Sequence, residues 1–146
     1  MKLALSLGTT VILLIVTVIA KYQQTELDGN WTLKDFNYDG NKGTSQKPDI
    51  VKIFEDGKFN TYVLYDNGAS KTTEGTFKVL PDNIYTETIV KAVNAPMIGK
   101  TYRIKYQIVD SLMLISSSYD SPAGKVNYSE TWVRFSPKIF ASVKAD

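Results

Sequence analysis

Beyond residue 28 the chain alternates apolar and polar residues in short runs, and this period-two pattern predicts β-strands instead of helices. Glycine, proline, asparagine and aspartate mark the turns between the runs. A polar, glycine-rich stretch at 37–49 is predicted to be a loop. Eight strands are predicted, at 30–36, 50–55, 58–65, 71–79, 84–93, 101–109, 112–119 and 125–135.

The connections between these predicted strands are mostly short, which favours antiparallel neighbours. Asp56-Gly57 lies between two alternating runs and predicts a hairpin with a type I′ turn, because both central residues of that turn need a positive φ. Eight antiparallel strands suit an up-and-down β-barrel or a sandwich. The predicted fold class is therefore all-β, and we expect an eight-stranded antiparallel up-and-down barrel.

Barrel closure requires the first strand to pair with the last, which brings Gly29-Asn30-Trp31 beside Trp132-Val133-Arg134. Gly29 would let the chain bend where the barrel closes. Trp31 would plug one end, and Arg134 would lie across its indole ring in a cation–π contact. We assign these three residues, Gly29, Trp31 and Arg134, a structural role.

Five short motifs make the chain resemble the lipocalin-like superfamily, and in particular small exported bacterial lipocalin-like domains of unknown function. The resemblance runs from Gly29 to Phe135. It implies an eight-stranded barrel and a cavity for a small ligand, but it names no ligand. The motifs are Gly29-Asn30-Trp31, Lys52-Ile53-Phe54 before Asp56-Gly57-Lys58-Phe59, Gly75-Thr76-Phe77, Tyr85-Thr86-Glu87 and Glu130-Thr131-Trp132-Val133-Arg134.

The first residues of the chain differ from the rest, because residues 3–20 are nearly all apolar and follow Lys2. Val18 and Ala20 fit a signal peptidase site, which predicts a signal peptide cleaved after Ala20. The alternative is an uncleaved membrane anchor, since a run of this length is near the lower limit for spanning a bilayer. Either outcome places the remainder outside the cytoplasm, in the periplasm or the extracellular space. The predicted domains are 1–20 signal or anchor, 21–28 linker, 29–136 barrel and 137–146 tail.

Composition narrows the possible functions. The net charge of +2 argues against a nucleic-acid partner. The chain has no histidine and no cysteine, which removes the usual general base, the usual zinc ligands and thiol chemistry. We expect no enzyme activity, no cofactor and no metal. We also expect a monomer that contacts membrane only through residues 3–20, if these are retained.

Strand alternation identifies the candidate ligand-binding residues, which are Lys52, Tyr85, Glu87, Tyr102, Glu130 and Trp132. If Trp31 and Phe59 point inward, so do Arg134, Glu130 and Lys52, and the resemblance implies the same for Glu87. The other interpretation is that these charges lie on an ordinary solvent-facing side of the sheet.

Three functions remain open on the sequence alone. The first is a small-molecule-binding barrel with a partly polar, aromatic-lined cavity of a few hundred Å³. The second is a barrel filled by side chains, associated with the cell envelope and acting through protein contacts on its outer surface. The third is an enzyme using Glu87 and Glu130 as paired carboxylates, for which two glutamates are little support.

Overall fold

The computed structural model describes residues 26–46 and 49–135, which form nine strands and one short 3₁₀ helix. The strands are β1 (Gly29–Tyr38), β2 (Asn41–Thr44), β3 (Asp49–Glu55), β4 (Lys58–Tyr65), β5 (Gly68–Leu80), β6 (Ile84–Ala92), β7 (Thr101–Val109), β8 (Leu112–Ser121) and β9 (Gly124–Arg134). The 3₁₀ helix, Ala95–Met97, lies between β6 and β7.

All neighbouring strands are antiparallel, and the sheet closes on itself. From β3 to β9 each strand pairs with the next in sequence, while β1 pairs with both β3 and β9. The predicted eight-stranded antiparallel barrel is therefore confirmed, with β2 as an additional strand. The closing pair places Trp31 opposite Arg134 and Leu33 opposite Trp132.

The additional strand β2 corrects the prediction of a loop at 37–49. It pairs with the second half of β1, from Asp35 opposite Thr44 to Tyr38 opposite Asn41. The turn between the two strands has φ of 48° at Asp39 and 86° at Gly40. Asp39-Gly40 is thus a hairpin signal of the same kind as Asp56-Gly57, where φ is 49° and 75°. The polar composition of this stretch hid that signal.

One end of the barrel, here called the closed end, lies at the turns around residues 56–57, 82–83 and 110–111. Side chains directed inward at this end are almost completely buried, which fits a packed apolar core. They include Leu27, Trp31, Phe54, Phe59, Phe77, Tyr106 and Met113.

Contacts around Trp31 seal the closed end. The Arg134 guanidinium carbon lies 4.3 Å from the centre of the Trp31 ring. Arg134 also donates hydrogen bonds to the backbone carbonyls of Asp28 (2.9 Å) and Glu26 (2.6 Å). A Cβ at Gly29 would lie 2.8 Å from Arg134 Nη1, and Gly29 has a φ of 134°. The positive φ therefore favours glycine at this position, and a Cβ there would displace the end of the Arg134 side chain.

The opposite end, here called the open end, lies where β1 turns into β2 and β8 turns into β9. Its inward-directed side chains are half-buried even though alternation turns them toward the barrel axis. The interior is therefore accessible from this end and packed at the other. These side chains include Phe36, Tyr38, Ile50, Thr61, Tyr102, Ser117 and Tyr128.

The predicted signal or anchor at 3–20, the cleavage after Ala20 and the tail at 137–146 all lie outside the described residues. Within the described part of the chain, no helix has the length and apolar character needed to cross a membrane.

Candidate functional site at the open end of the barrel

An ion pair occupies the middle of the barrel interior. Lys52 on β3 and Glu87 on β6 are 9% and 5% exposed, and Lys52 Nζ lies 2.8 Å from Glu87 Oε1. The ammonium also lies 5.7, 5.4 and 5.5 Å from the ring centres of Phe54, Phe59 and Trp132. A charged lysine is thus held inside by one carboxylate and three aromatic rings, as buried charges require.

Glu130 lies nearer the open end and is half-buried. Its Oε1 accepts a hydrogen bond from the Tyr38 hydroxyl, and its Oε2 accepts one from Trp132 Nε1 at 2.8 Å. Both donors are neutral. Two hydrogen bonds from different strands fix the orientation of this carboxylate without cancelling its charge.

Three stacked or tilted tyrosine rings lie next to Glu130, and we call the group Tyr38, Tyr119, Tyr128 and Glu130 the tyrosine–glutamate cluster. The rings of Tyr38 and Tyr128 stack with centres 5.7 Å apart, and the Tyr119 ring lies 6.1 Å from Tyr128. Tyr119 remains 38% exposed, so the cluster reaches the surface at the open end.

Burial is the main electrostatic influence on these phenols. It raises the pKa of Tyr38, and the charge and hydrogen bond of Glu130 raise it further. Burial also raises the pKa of Tyr128, with further contributions from Glu87 and Glu130. These side chains therefore stay neutral hydrogen-bonding groups well above neutral pH.

Tyr85 lies between the packed core and the polar layer, by which we mean the inward-directed Lys52, Glu87 and Glu130. It is 0% exposed, and its hydroxyl interacts with the Glu87 carboxylate. Burial raises its pKa well above the usual range, and the nearby Glu87 carboxylate adds to this effect.

The structure brings all six candidate residues into or beside this polar layer. Lys52, Glu87 and Trp132 are buried, Tyr85 is buried beneath them, and Glu130 is half-buried above. The sixth candidate, Tyr102, is half-buried on β7 and lies opposite Glu87 on β6. Burial raises the pKa of Tyr102, and Tyr119 adds to this.

Sequence reasoning missed Tyr38 and Tyr128. Tyr38 ends β1 immediately before the Asp39-Gly40 turn, where a hairpin with β2 was not predicted, and Tyr128 lies two residues before Glu130 on the same face of β9. The alternation of side chains along β9 would have been enough to place Tyr128 and Glu130 on the same face of the strand. The contact of Tyr38 with Glu130, 92 residues away, required the closed barrel.

A cleft of about 450 Å³ lies where β7 and β8 separate, and its lining combines outward-directed side chains with the inward-directed Ser117 and Tyr128. The two strands pair only from Lys105 and Ser116 toward the closed end. Above that point, Ser117 Oγ donates to the Arg103 carbonyl at 2.6 Å. The six candidate residues do not line this cleft, which is lined by Ile84, Arg103, Lys105, Ser116, Ser117, Ser118, Asn127 and Tyr128.

Comparison with known proteins agrees with the architecture. A family model described as a domain of unknown function (DUF4488) matches residues 26–141. An uncharacterised protein from Bacteroides eggerthii has a similar solved structure, with 17% identity, a TM-score of 0.50, and coverage of 74% of this chain and 98% of that one. Lipocalin 12 from rat epididymis is 11% identical with a TM-score of 0.55, and the match covers 82% of this chain and 74% of that one.

The resemblance to lipocalin-like domains of unknown function is thereby confirmed, and at these identities it concerns the fold. No curated protein matches the chain.

Proposed function

The chain belongs to the DUF4488 family, a domain of unknown function with a lipocalin-like barrel, and we propose that it is a non-enzymatic protein that binds a small molecule at the open end of this barrel. Eight-stranded barrels of this kind have an interior just wide enough for side chains or for one small ligand. The ligand would contact the tyrosine–glutamate cluster, with the Lys52–Glu87 pair beneath it.

The observation that carries the proposal is the contrast between the two ends of the interior. At the closed end the core is apolar and packed, with Trp31, Phe54 and Met113 at 0–1% exposure. At the open end, side chains that point inward are half-buried, polar and aromatic. A barrel that served only as a packed core would have little reason to leave aromatic rings and a carboxylate partly exposed inside.

The test is native mass spectrometry of the protein purified from its own source. We expect a discrete additional mass that disappears on denaturation. The variant Glu130→Gln should lose this mass, whereas Asp120→Asn should keep it, because Asp120 is an exposed carboxylate on the outer face at the same end. A bare polypeptide mass from gently purified protein would count against a bound small molecule.

The alternative is a filled barrel that acts through protein contacts on its outer surface. The cleft beside β7 and β8 favours it, because that cleft opens outward and carries the exposed cations Arg103 and Lys105. In that case Arg103→Ala should weaken capture of a protein partner, and Glu130→Gln should not.

We further propose that the barrel is exported. The support is the apolar run at 3–20, preceded by Lys2 and ending in Val18-Ile19-Ala20. The intact mass of the purified protein tests this, because cleavage after Ala20 removes the first 20 residues. Full-length protein in a membrane fraction would indicate the anchor, and full-length protein in the cytoplasm would contradict export.

A further inference from the structure

The open end of the barrel carries a carboxylate, that of Glu130, for which the described residues supply no neutralising base. Lys52 is a base that the described strands direct into the barrel interior, and it forms an ion pair with Glu87, with Nζ 2.8 Å from Oε1. Glu130 has no lysine or arginine within ion-pair distance in the described part of the chain. We propose that the ligand of the open end is a small organic cation, an ammonium group bound by Glu130 and the surrounding tyrosine rings. This inference rests on the proposed function, because it assigns a chemical class to the same ligand.

The carboxylate of Glu130 still has capacity for such a ligand. Two ionised oxygens offer about four acceptor positions. Tyr38 and Trp132 use one position on each oxygen. Because both donors are neutral, the negative charge remains available, and partial burial leaves it less screened than a surface charge.

The rings around Glu130 favour a cation over a neutral group. Aromatic faces attract ammonium groups that approach within about 6 Å of the ring centre. The Tyr128 ring packs against the Tyr38 ring at 5.7 Å and against the Tyr119 ring at 6.1 Å, so the three rings form one continuous aromatic group next to Glu130. Phe36 extends the aromatic surface, with its ring 5.6 Å from that of Tyr38.

One layer deeper, the protein already binds an ammonium in this way. Lys52 Nζ lies 2.8 Å from a carboxylate and between 5.4 and 5.7 Å from three ring centres. The tyrosine–glutamate cluster repeats this combination of carboxylate and rings, but with no ammonium of the described chain in it. An anionic ligand would instead meet the repulsion of Glu130.

The experiment compares choline with its neutral isostere 3,3-dimethylbutan-1-ol, which has carbon in place of the quaternary nitrogen. Binding is followed by amide chemical shifts of the isotopically labelled protein, with ionic strength held constant by sodium chloride. We expect choline to bind about tenfold more tightly than the alcohol. The largest shifts should lie at Tyr38, Tyr128 and Glu130.

Variants then locate the interaction. Glu130→Gln should abolish the preference for choline, while Asp120→Asn should preserve it. If Glu130→Gln does not fold, Tyr128→Leu serves instead, since it leaves the carboxylate in place and should lower choline affinity by removing the central ring of the cluster.

Each outcome decides between the two proposals. Equal affinity for the two probes, or a choline preference that survives Glu130→Gln, would overturn the organic-cation inference and leave small-molecule binding standing. A neutral or anionic ligand identified by native mass spectrometry would do the same. Failure of both probes to bind would also overturn the inference. The proposed function would then be decided separately, by whether native mass spectrometry detects any ligand on protein purified from its own source.

Discussion

Replacing Arg134 by alanine should destabilise the barrel by about 1.5–2.5 kcal/mol, because three interactions at the closed end are lost together. The guanidinium lies over the Trp31 ring at 4.3 Å and donates to the carbonyls of Asp28 and Glu26. These contacts join the last strand to the segment that enters the first strand, so they act where the barrel closes.

The magnitude follows from the individual contacts. An exposed cation–π contact contributes about 0.5–1 kcal/mol. Each hydrogen bond from a charged but solvent-accessible donor contributes about 0.5–1.5 kcal/mol. Arg134 is exposed, so solvent screening keeps each contribution near the lower part of its range. For a domain of this size, the loss corresponds to a decrease in Tm of about 4 °C per kcal/mol.

The assay is urea unfolding followed by far-ultraviolet circular dichroism, which avoids relying on the fluorescence of the contacted Trp31. Arg103→Ala is the matched control, because Arg103 is exposed on β7 and makes no ion pair with described residues, so its loss should cost less than about 0.5 kcal/mol. Arg134→Lys should give an intermediate value, since a lysine keeps the charge but not the forked donor. If Arg134→Ala were no less stable than Arg103→Ala, the account of barrel closure would be wrong.

Three further predictions concern the interior. Lys52→Met should destabilise the fold by about 3–5 kcal/mol, because it leaves Glu87 buried without its partner. The double variant that also carries Glu87→Met should recover part of that loss. If the two single-variant losses measured by urea unfolding simply add in the double variant, the coupling between Lys52 and Glu87 is refuted. Gly75→Ala should destabilise the fold by about 3 kcal/mol or more, because a Cβ there would lie 2.1 Å from the backbone oxygen of Thr88. A Tm of the variant close to that of the original protein would refute this close approach of β5 and β6. The pKa of Tyr128 is raised in the folded state, so the folded protein keeps a proton that the unfolded chain releases above pH about 10. The free energy of unfolding should therefore be unaffected by this group below pH about 10 and should fall by up to about 1.4 kcal/mol per pH unit above it, for each such tyrosine. Tyrosinate absorbance that rises in one step near pH 10 in the folded protein would contradict the raised pKa.

The strand pattern could be predicted because local physics sets it. Alternation fixes which residues face one side of a strand, and Asp-Gly pairs favour the positive φ of tight hairpins. Asp56-Gly57 was recognised by that signal. Asp39-Gly40 carries the same signal but is followed by polar residues, so β2 was predicted to be loop. Its pairing with β1 depends on backbone hydrogen bonds more than on buried side chains.

The site could be predicted only in part, for a related reason. Parity placed Lys52 on one face of β3 and Glu130 on one face of β9, which correctly grouped them with the interior. Parity does not reveal distance across the barrel. The pairing of Lys52 with Glu87, and the contact of Tyr38 with Glu130, depend on how far the strands are staggered around the closed sheet.

The sequence by itself therefore determined the strand faces, most of the turns and the meeting of the first strand with the last, because these follow from periodicity, turn conformation and the need to close an eight-stranded sheet. Only the tertiary structure decided which of the described acids pairs with Lys52. Among the described residues, Lys52 Nζ lies 2.8 Å from Glu87 Oε1, and Glu130 accepts hydrogen bonds from two neutral donors. Which acid pairs with Lys52 depends on distances of a few ångströms between strands that are far apart in sequence. Local sequence patterns do not specify these distances.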